Sequence, residues 1–281
     1  MTSPAAAYGS VDAASGGSHP GKWVLRYFSA PTRGEQVRLL FALAVQRGTI
    51  TSDEYIDERL APFPTGQHKY KRSKMGDASP LMFDQTPSIT SPDGTHVSQA
   101  AAVMQYAGRV LRLAPMANEG EAARALALTL YSEELRGSVF YPVMVPSVIE
   151  AAAARWCGGI CCLFGCVVNR CCCGTARRAA LRKLRAGLPH LEAALRLNAA
   201  NSSGSAAALF MAGDDASYAD VALFDCLAAN FAFLCLDADA ELREHELLAT
   251  WFSQFSATFA EYVEERGAVL DIIVDGLIGA E

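Results

Sequence analysis

The sequence predicts an α/β domain followed by an all-α domain. Over residues 23–111, short β-prone runs alternate with helical segments, as expected of a small sheet covered by helices. A proline-containing segment at residues 112–118 separates this part from the rest of the chain. Beyond it, nearly every segment has apolar residues at helical spacing. A chain of 281 residues is long enough to form two such domains.

The composition indicates a folded protein without general affinity for nucleic acid. Hydrophobic residues make up 51% of the chain and charged residues 19%, which allows a packed core. The net charge of −6 argues against bulk binding of nucleic acid. There is no run of 18 or more apolar residues, so we expect no membrane span. Residues 1–22 are small, polar and rich in Gly and Ser, which predicts a disordered tail without a targeting signal.

The chain has nine cysteines, and seven of them lie between Cys157 and Cys173. An odd number of cysteines, several directly adjacent, is not typical of the disulfide framework of a secreted protein. We therefore expect a reducing, cytoplasmic location.

The first domain is predicted to begin with a strand, a helix and a second strand. WVLRYF (Trp23–Phe28) is an aromatic and β-branched run typical of a strand, and Pro31 follows its end. From Arg33 to about residue 48, apolar residues recur at helical spacing. Residues 54–60 have the pattern of a half-exposed strand, and the basic residues 61–77 predict a loop with a short helix.

A hairpin and a helix are predicted to complete this domain. Ser88–Thr90 is β-prone, and the Asp93-Gly94 pair suits a tight hairpin turn. A strand restarts at His96 and is followed by a helical pattern over residues 98–111.

Two features of this hairpin segment favour a ligand site. Pro87 cannot donate to a strand ladder, and a cis bond after Thr86 would leave the backbone of Thr86 free to face a ligand. Ser98 or Gln99 begins the helix, where unpaired amides attract a carboxylate. The order of strands and helices indicates a thioredoxin-like domain over residues 23–111.

The second domain is predicted to be all-helical over residues 119–281, with a cysteine-rich insertion near residues 156–174. Its helices are expected at residues 119–136, 177–197, 218–234 and 241–266. Ser217 and Asp220 precede an apolar run at the spacing of a capping box. In such a box the Ser217 hydroxyl accepts from the Asp220 backbone amide, and the Asp220 carboxylate accepts from the Ser217 backbone amide.

Five segments, in order along the chain, resemble one family. They are YFSAPTRGEQVRLLFALA (residues 27–44), LMFDQTPSI (81–89), DGTHVSQAAAVMQYAG (93–108), LRAGLPHLEAAL (184–195) and SYADVALFDCL (217–227). On these motifs the chain resembles the cytosolic glutathione S-transferases, most closely the tyrosine-type classes alpha, mu, pi and sigma. The resemblance does not extend to the N-terminal tail or to the cysteine-rich insertion. It implies the glutathione transferase fold, an α/β thioredoxin-like domain followed by an all-α domain.

The resemblance implies two catalytic residues. Tyr27 matches the tyrosine whose hydroxyl donates to the glutathione sulfur, and Arg33 matches an arginine that in some classes lies near that sulfur. A free thiol has a pKa of about 8.5, so little thiolate exists at neutral pH. Lowering that pKa by two units requires about 2.7 kcal/mol of preferential thiolate stabilisation. A hydroxyl donor, helped by Arg33 and nearby helix amides, is of the right size.

The resemblance also implies a set of glutathione-binding residues: Tyr27, Lys74, Gln85, Thr86, Pro87, Gln99 and Ala100. The Thr86 backbone matches the segment that pairs with the cysteinyl backbone of glutathione, and Gln99 matches the residue that holds the γ-glutamyl end. Ala100 departs from the family, which usually has Ser or Thr there, so a hydroxyl donor is lost. Lys74, or alternatively Arg72, matches the grip on the glycyl carboxylate.

The implied activity is conjugation of the glutathione thiolate to a hydrophobic electrophile by a homodimer, with glutathione as co-substrate and no metal. A glutathione-dependent isomerase of the sigma type remains an alternative, since only the second-substrate pocket separates the two. A non-catalytic binding or scaffold protein is a second alternative, favoured by Ala100 and by the insertion. An acidic residue lent across the dimer to the glutamyl amine would be Glu133 or Glu134.

The cysteine-rich segment at Cys157–Cys173 departs from the family, and three interpretations remain open. The preferred one is a hydrophobic loop or helix extension with small buried thiols. Reversible S-acylation beside the basic residues that follow would bring the segment to a membrane. A thiolate metal site is the third, although the spacings do not form paired C-x-x-C units.

Overall fold

The computed structural model describes residues 19–60, 79, 81–115, 118–140, 174–201 and 209–266. Most of the predicted tail, the basic loop at residues 61–77 and the cysteine-rich segment at residues 157–173 lie outside these ranges, as do residues 267–281.

The N-terminal region contains a four-stranded mixed sheet. Its strands are β1 (Trp23–Phe28), β2 (Tyr55–Leu60), β3 (Ser88–Thr90) and β4 (His96–Ser98). Their order is β2-β1-β3-β4, with β1 and β2 parallel and the other two pairs antiparallel. The predicted strand, helix, strand and hairpin are therefore confirmed, and β1 has the predicted bounds.

Two helices accompany this sheet, α1 (Glu35–Gln46) and α2 (Ala100–Val110). Alternate residues of β1, Trp23, Leu25 and Tyr27, belong to one buried apolar cluster with α1 and α2, because side chains of a strand alternate between its faces. The ring of Trp23 meets that of Phe41 edge to face at 5.4 Å. Tyr27, at the end of β1, is therefore held from one side by the core.

The remaining described chain is helical. Its helices are α3 (Glu119–Leu135), α4 (Gly174–Asn201), α5 (Tyr218–Leu234), α6 (Ala238–Leu242), α7 (Glu246–Thr258) and α8 (Ala260–Arg266), and a π-helical turn at Arg136–Phe140 extends α3. Nearly all residues of α5 are buried, because α1, α2, α3, α4 and α7 all contact it. A helix that is apolar on every side is expected at such a central position.

The sequence predicted one helix over residues 241–266, and that prediction is wrong. The chain turns after α6, where the amide of His245 donates to the Leu242 carbonyl at 2.8 Å, and turns again at Phe259 between α7 and α8. Neither turn contains Gly or Pro, so the break carries no local signal. Packing of Leu248, Trp251 and Phe255 into the core sets the direction of α7 instead.

The predicted capping box at the start of α5 is confirmed, but Asp220 does more than cap. Its buried carboxylate accepts from the Ser217 amide at 2.9 Å and the Ser217 hydroxyl at 2.8 Å. It also accepts from the Met211 amide at 2.7 Å and from the Trp251 indole N–H at 2.9 Å. One carboxylate thus joins the start of α5 to a preceding loop and to α7.

A buried ion pair joins α5 to the end of α3. The Arg136 guanidinium donates to the Asp225 carboxylate at 2.6 Å, and the two side chains are 0% and 3% exposed. Burial raises the pKa of Asp225 to about 6, although Arg136 acts in the opposite direction. Truncating one partner of such a pair is costly, because it leaves a buried charge without its counter-charge.

This raised pKa predicts that Asp225 makes the protein less stable as pH rises. Below pH 3.8 the carboxyl group is neutral in both the folded and unfolded states, whereas between pH 3.8 and about 6 only the folded protein keeps the proton. Relative to an Asp225→Asn variant, the wild type should therefore lose about 3 kcal/mol of unfolding free energy over this window. Denaturant unfolding at pH 4, 5, 6 and 7 measures the difference.

An Asp215→Asn variant serves as the matched control, since this carboxylate is exposed and pairs with Arg47 on the surface. The difference in unfolding free energy between Asp215→Asn and the wild type should not show the pH dependence expected for Asp225→Asn. A wild-type stability that rises relative to Asp225→Asn between pH 4 and 6 would contradict the prediction.

Candidate functional site

Tyr27 near the end of β1, Pro87 just before β3 and Gln99 just after β4 lie at one end of the sheet. Ser88 of β3 pairs both with the residue before Tyr27 and with the residue before Gln99. Continuing both antiparallel registers by one residue places Pro87 between Tyr27 and Gln99. Because neighbouring strands lie about 4.8 Å apart, Tyr27 and Gln99 are separated by about 10 Å. Residues far apart in sequence thus line one edge.

The Tyr27 hydroxyl lies within a small group of donors. It is in hydrogen-bond contact with the Thr32 hydroxyl, and the amide of Arg33 donates to it at 3.2 Å. Tyr27 is 5% exposed. Burial raises the pKa of this phenol, while the Thr32 hydrogen bond, the positive charges of Arg38 and Arg136, and the Arg33 amide lower it. The net increase keeps the hydroxyl protonated at neutral pH, as a hydrogen-bond donor must be.

Hydrogen bonds from Arg38 hold the loop between β1 and α1 in place. The Arg38 guanidinium donates to the Phe28 carbonyl at 2.8 Å and to the Asp57 carboxylate of β2, and lies 5.8 Å from the Tyr27 ring centroid. Gly34 passes so close to Tyr27 that a Cβ there would lie 2.2 Å from the ring. The loop therefore fixes the ring position of Tyr27 closely.

The side chain of Arg33 is bound to α3. Its Nε donates to Glu133 at 2.9 Å, and the other oxygen of that carboxylate accepts from the amide of the buried Gln36 at 2.6 Å. Glu133 therefore binds groups of its own chain, whereas Glu134 is exposed. The Arg33 side chain remains 45% exposed, at the edge of the group around Tyr27.

The segment before β3 carries three predicted site residues. The Thr86–Pro87 bond is cis, as the sequence suggested. In the described part of the chain, the Thr86 amide and carbonyl take part neither in strand pairing nor in the loop hydrogen bonds. The side chain of Gln85 accepts a hydrogen bond from that of Gln99, so these two predicted residues are in contact.

Helix α2 begins beside this segment, and no side chain among the described residues caps its first turn. Gln99 is its N-cap residue, with a φ of 77° and no side-chain capping bond; that φ is uncommon for a residue other than glycine. Ala100 is the first helical residue and is 5% exposed. The first-turn amides and the helix dipole favour a carboxylate here. The Ser98 hydroxyl is buried without a hydrogen-bond partner among the described residues.

The described structure thus brings together Tyr27, Gln85, Thr86, Pro87, Gln99 and Ala100, with Arg33 at the edge. Lys74 and Arg72 lie outside the described residues. The described residues contain no cluster of three metal-ligating side chains, and no described helix has the length and apolar character to cross a bilayer.

Sequence reasoning missed Thr32 and Gln36. Thr32 lies in a loop with no periodicity, and Gln36 is a polar residue at a fully buried position of α1. The only available signal for Gln36 was its place on the helix face that carries apolar residues. Hydrogen bonding to partners as much as 97 residues away makes that burial possible.

A separate cavity of about 270 Å³ lies between α1 and α7. Leu43, Arg47, Phe210 and Phe255 are among its lining residues, and none of the predicted site residues lines it. Arg47 there is bound to Asp215.

Comparison with known proteins identifies the fold. No family model matches the chain, and no curated protein matches it in sequence. The solved structure of NaGST-2 is similar with a TM-score of 0.59 at 16% identity, over 88% of this chain and 97% of that one. The glutathione S-transferase from Ascaris lumbricoides is similar with a TM-score of 0.52 at 22% identity, over 88% of this chain and 98% of that one.

These similarities, together with the small mixed sheet and the helical region that follows it, confirm the predicted fold class. The chain has the glutathione transferase fold, an α/β thioredoxin-like domain followed by an all-α domain. Fold alone does not specify chemistry, which depends on the residues of the site.

Proposed function

We propose that this protein is a glutathione transferase, in which the Tyr27 hydroxyl stabilises the glutathione thiolate for attack on a hydrophobic electrophile. The observation that carries the proposal is the alignment of Tyr27, Pro87 and Gln99 across one end of the sheet. A donor for sulfur lies at one end of this row, and the first turn of α2, which no described side chain caps, lies at the other.

The dimensions of the row suit the γ-glutamyl-cysteinyl part of glutathione. Two strand spacings separate the backbones of Tyr27 and Gln99 by about 10 Å, which leaves room for the γ-glutamyl and cysteinyl residues between the two ends. The free backbone groups of Thr86 lie between the two ends and suit pairing with the central residue of an extended peptide. One of the similar solved structures is named as a glutathione S-transferase, from Ascaris lumbricoides, which supports the same ligand.

The proposed roles follow from this placement. Gln99 and the first amides of α2 bind the γ-glutamyl carboxylate, which the helix dipole favours. The Thr86 backbone pairs with the cysteinyl residue. The Tyr27 hydroxyl faces the sulfur, while the Arg33 amide donates to the Tyr27 oxygen. Lys74 is proposed to bind the glycyl carboxylate, as the family resemblance implies.

Two measurements on the full-length protein test the function. The protein should be retained on immobilised glutathione and be released by free glutathione. It should also accelerate the reaction of glutathione with a reactive aryl halide. Retention without turnover would favour the non-catalytic binding protein, and turnover only of an isomerisable peroxide substrate would favour the sigma-type isomerase. Failure of both retention and turnover would contradict the proposal.

Replacing Ala100 by serine is expected to tighten glutathione binding about 2–10-fold, the effect of one added hydrogen bond to a neutral acceptor, and by more than about 10-fold where the acceptor is a carboxylate. Ala100 is the first residue of α2 and lies beside Gln99, so a hydroxyl there would face the γ-glutamyl carboxylate. Isothermal titration calorimetry measures the change in affinity.

Ala102→Ser is the matched control, since Ala102 is exposed two positions further along the same helix turn. It should leave the affinity unchanged. Equal affinity of the wild type and Ala100→Ser would mean that the γ-glutamyl carboxylate does not bind beside residue 100.

A homodimer is part of the proposal, and the turn at Met82–Asp84 supports it. Phe83 is 70% exposed, and its φ of 60° presents the ring on a backbone conformation that bulky residues rarely adopt. An aromatic residue held outwards beside the Gln85–Pro87 segment suits an interface with a second copy. Phe83→Ser should shift the protein from dimer to monomer in light scattering after gel filtration. Leu197→Ser, which alters an exposed residue of α4, should not, and a wild-type monomer would contradict the dimer.

A further inference from the structure

The hydroxyl groups of Tyr27 and Thr32 form a buried pair that has one hydrogen more than it can use. Tyr27 is 5% exposed and Thr32 is 7% exposed, and the two oxygens are in hydrogen-bond contact. Each hydroxyl carries one hydrogen, but a single contact between the two oxygens uses only one of them. The second hydroxyl hydrogen has no acceptor among the described residues.

A ligand that accepts this surplus hydrogen would complete the pair. A buried donor without an acceptor costs free energy, and an anionic acceptor makes a stronger hydrogen bond than a neutral one. The pair therefore favours an anion, and the proposed thiolate is one. Either the Tyr27 or the Thr32 hydroxyl could donate to this thiolate.

The Arg33 amide helps to decide between them. It donates to the Tyr27 oxygen at 3.2 Å, and Thr32 can donate to the same oxygen, which has a second lone pair. Both donors then leave the Tyr27 hydrogen directed elsewhere. A phenol is also far more acidic than an aliphatic hydroxyl, so the phenol is the better donor to an anion. The reverse arrangement would use the Tyr27 hydrogen on Thr32.

We propose that Thr32 is a positioning residue, whose hydroxyl donates to the Tyr27 oxygen and thereby directs the Tyr27 hydrogen to the sulfur of bound glutathione. This role deepens the proposed function and rests on it. No covalent bond changes: the Thr32 hydroxyl, the Tyr27 hydroxyl and the thiolate form two hydrogen bonds in series, and each donor strengthens the next.

The loop backbone places the Thr32 hydroxyl. The Thr32 amide donates to the Ala30 carbonyl at 2.9 Å, and the Thr32 carbonyl accepts from the Glu35 amide at 3.0 Å. Thr32 is thus held on both sides by the turn that leads into α1. The backbone therefore fixes the position of the Thr32 Cβ, and only rotation about the Cα–Cβ bond is left to place the hydroxyl oxygen.

The charged groups around Tyr27 are each paired, so that a change at Thr32 leaves them in place. Three arginines lie near Tyr27, and each binds a carboxylate: Arg33 with Glu133, Arg38 with Asp57 and Glu35, and Arg136 with Asp225. Removing the Thr32 hydroxyl alters none of these pairs directly. A change in thiol ionisation would therefore report on the hydroxyl.

The test compares Thr32→Val, which removes the hydroxyl at nearly constant volume, with Thr32→Ser, which keeps it. We expect Thr32→Val to lower kcat/KM for the aryl halide about 3–10-fold and to raise the pKa of bound glutathione by about 0.5–1 unit, the effect of one hydrogen bond. Thr32→Ser should retain wild-type values within about 2-fold. Thiolate absorbance in the ultraviolet gives the pKa, and thermal unfolding shows that each variant is folded.

The Tyr27→Phe background shows whether Thr32 acts through Tyr27. There, Thr32→Val should add no further loss, because the residue it positions has no hydroxyl. An equal loss in both backgrounds would mean that Thr32 contacts the sulfur itself and would overturn the proposal. So would an unchanged thiol pKa in Thr32→Val, or a folded Thr32→Ser that behaves like the valine variant.

A titration without glutathione separates this proposal from the proposed function. The Thr32 hydrogen bond lowers the pKa of Tyr27 against the increase that burial causes, so Thr32→Val should raise that pKa further. Ultraviolet difference titration of each protein against its Tyr27→Phe counterpart isolates this one phenol. If the wild type binds no glutathione, the proposed function fails, while an unchanged Tyr27 titration in Thr32→Val would overturn the hydrogen bond from Thr32.

Discussion

Replacing Tyr27 by phenylalanine is expected to lower the rate of glutathione conjugation about 10–1,000-fold, the range for loss of one preorganised donor to a developing or resident anion. The Tyr27 hydroxyl is the donor at the end of β1, and the Arg33 amide beside it is retained in the variant. Affinity for glutathione should change little, because its carboxylates bind elsewhere. Steady-state kinetics with an aryl halide and calorimetry with glutathione measure the two effects.

Tyr106→Phe is the matched control, since it removes a phenolic hydroxyl that donates to Ser91 in the same domain. It should leave the conjugation rate unchanged. The pH dependence of kcat/KM should also move to higher pH in Tyr27→Phe, because the thiol then ionises less readily. A wild-type rate in Tyr27→Phe would exclude the hydroxyl from the mechanism.

Replacing Asp220 by alanine is expected to lower the free energy of unfolding by about 3–5 kcal/mol, more than the 0.5–2 kcal/mol usual for an N-cap. The difference arises because four donors lose their acceptor at a fully buried position. Two of these donors belong to Met211 and Trp251, outside the first turn of α5. Chemical denaturation, with the midpoint and slope both reported, measures the loss.

Two further variants each remove part of the hydrogen bonding of Asp220 and so measure separate contributions to the loss of stability. Trp251→Phe removes one of the four hydrogen bonds and should cost less than Asp220→Ala, and Ser217→Ala removes the hydroxyl of the capping box alone. The folded fraction of Asp220→Ala should keep its kcat, because Asp220 contacts none of the proposed site residues in the described structure. An unchanged stability would mean that the box does not form in solution. Normal stability with lost activity would place Asp220 in a different role.

Local patterns were sufficient for most elements of the fold. Aromatic and β-branched residues predict β1 with its bounds at Trp23–Phe28, and the capping box predicts the start of α5. The resemblance implies a cis bond before Pro87, and that bond is present. These features depend on residues within one or two turns of chain, which is the range over which propensity and capping act.

Local patterns failed where distant residues decide the outcome. The turn between α6 and α7 has no Gly or Pro, and the helix expected over residues 241–266 is divided there. Burial of Trp251, which donates to Asp220 across 31 residues, fixes the direction of α7. No periodicity within the segment contains that information.

For the candidate site, the sequence by itself determined which residue types are present and, through the resemblance, which of them to examine: Tyr27, Gln85, Thr86, Pro87, Gln99 and Ala100. Only the tertiary structure decided their arrangement, since strand pairing places Tyr27 and Gln99, which are 72 positions apart in the sequence, on either side of Pro87. It also brought the Thr32 hydroxyl into hydrogen-bond contact with the Tyr27 hydroxyl, on which the role proposed for Thr32 depends. Such a contact depends on where both residues lie in space. A local sequence pattern describes the surroundings of one residue and contains no information about its distant partner.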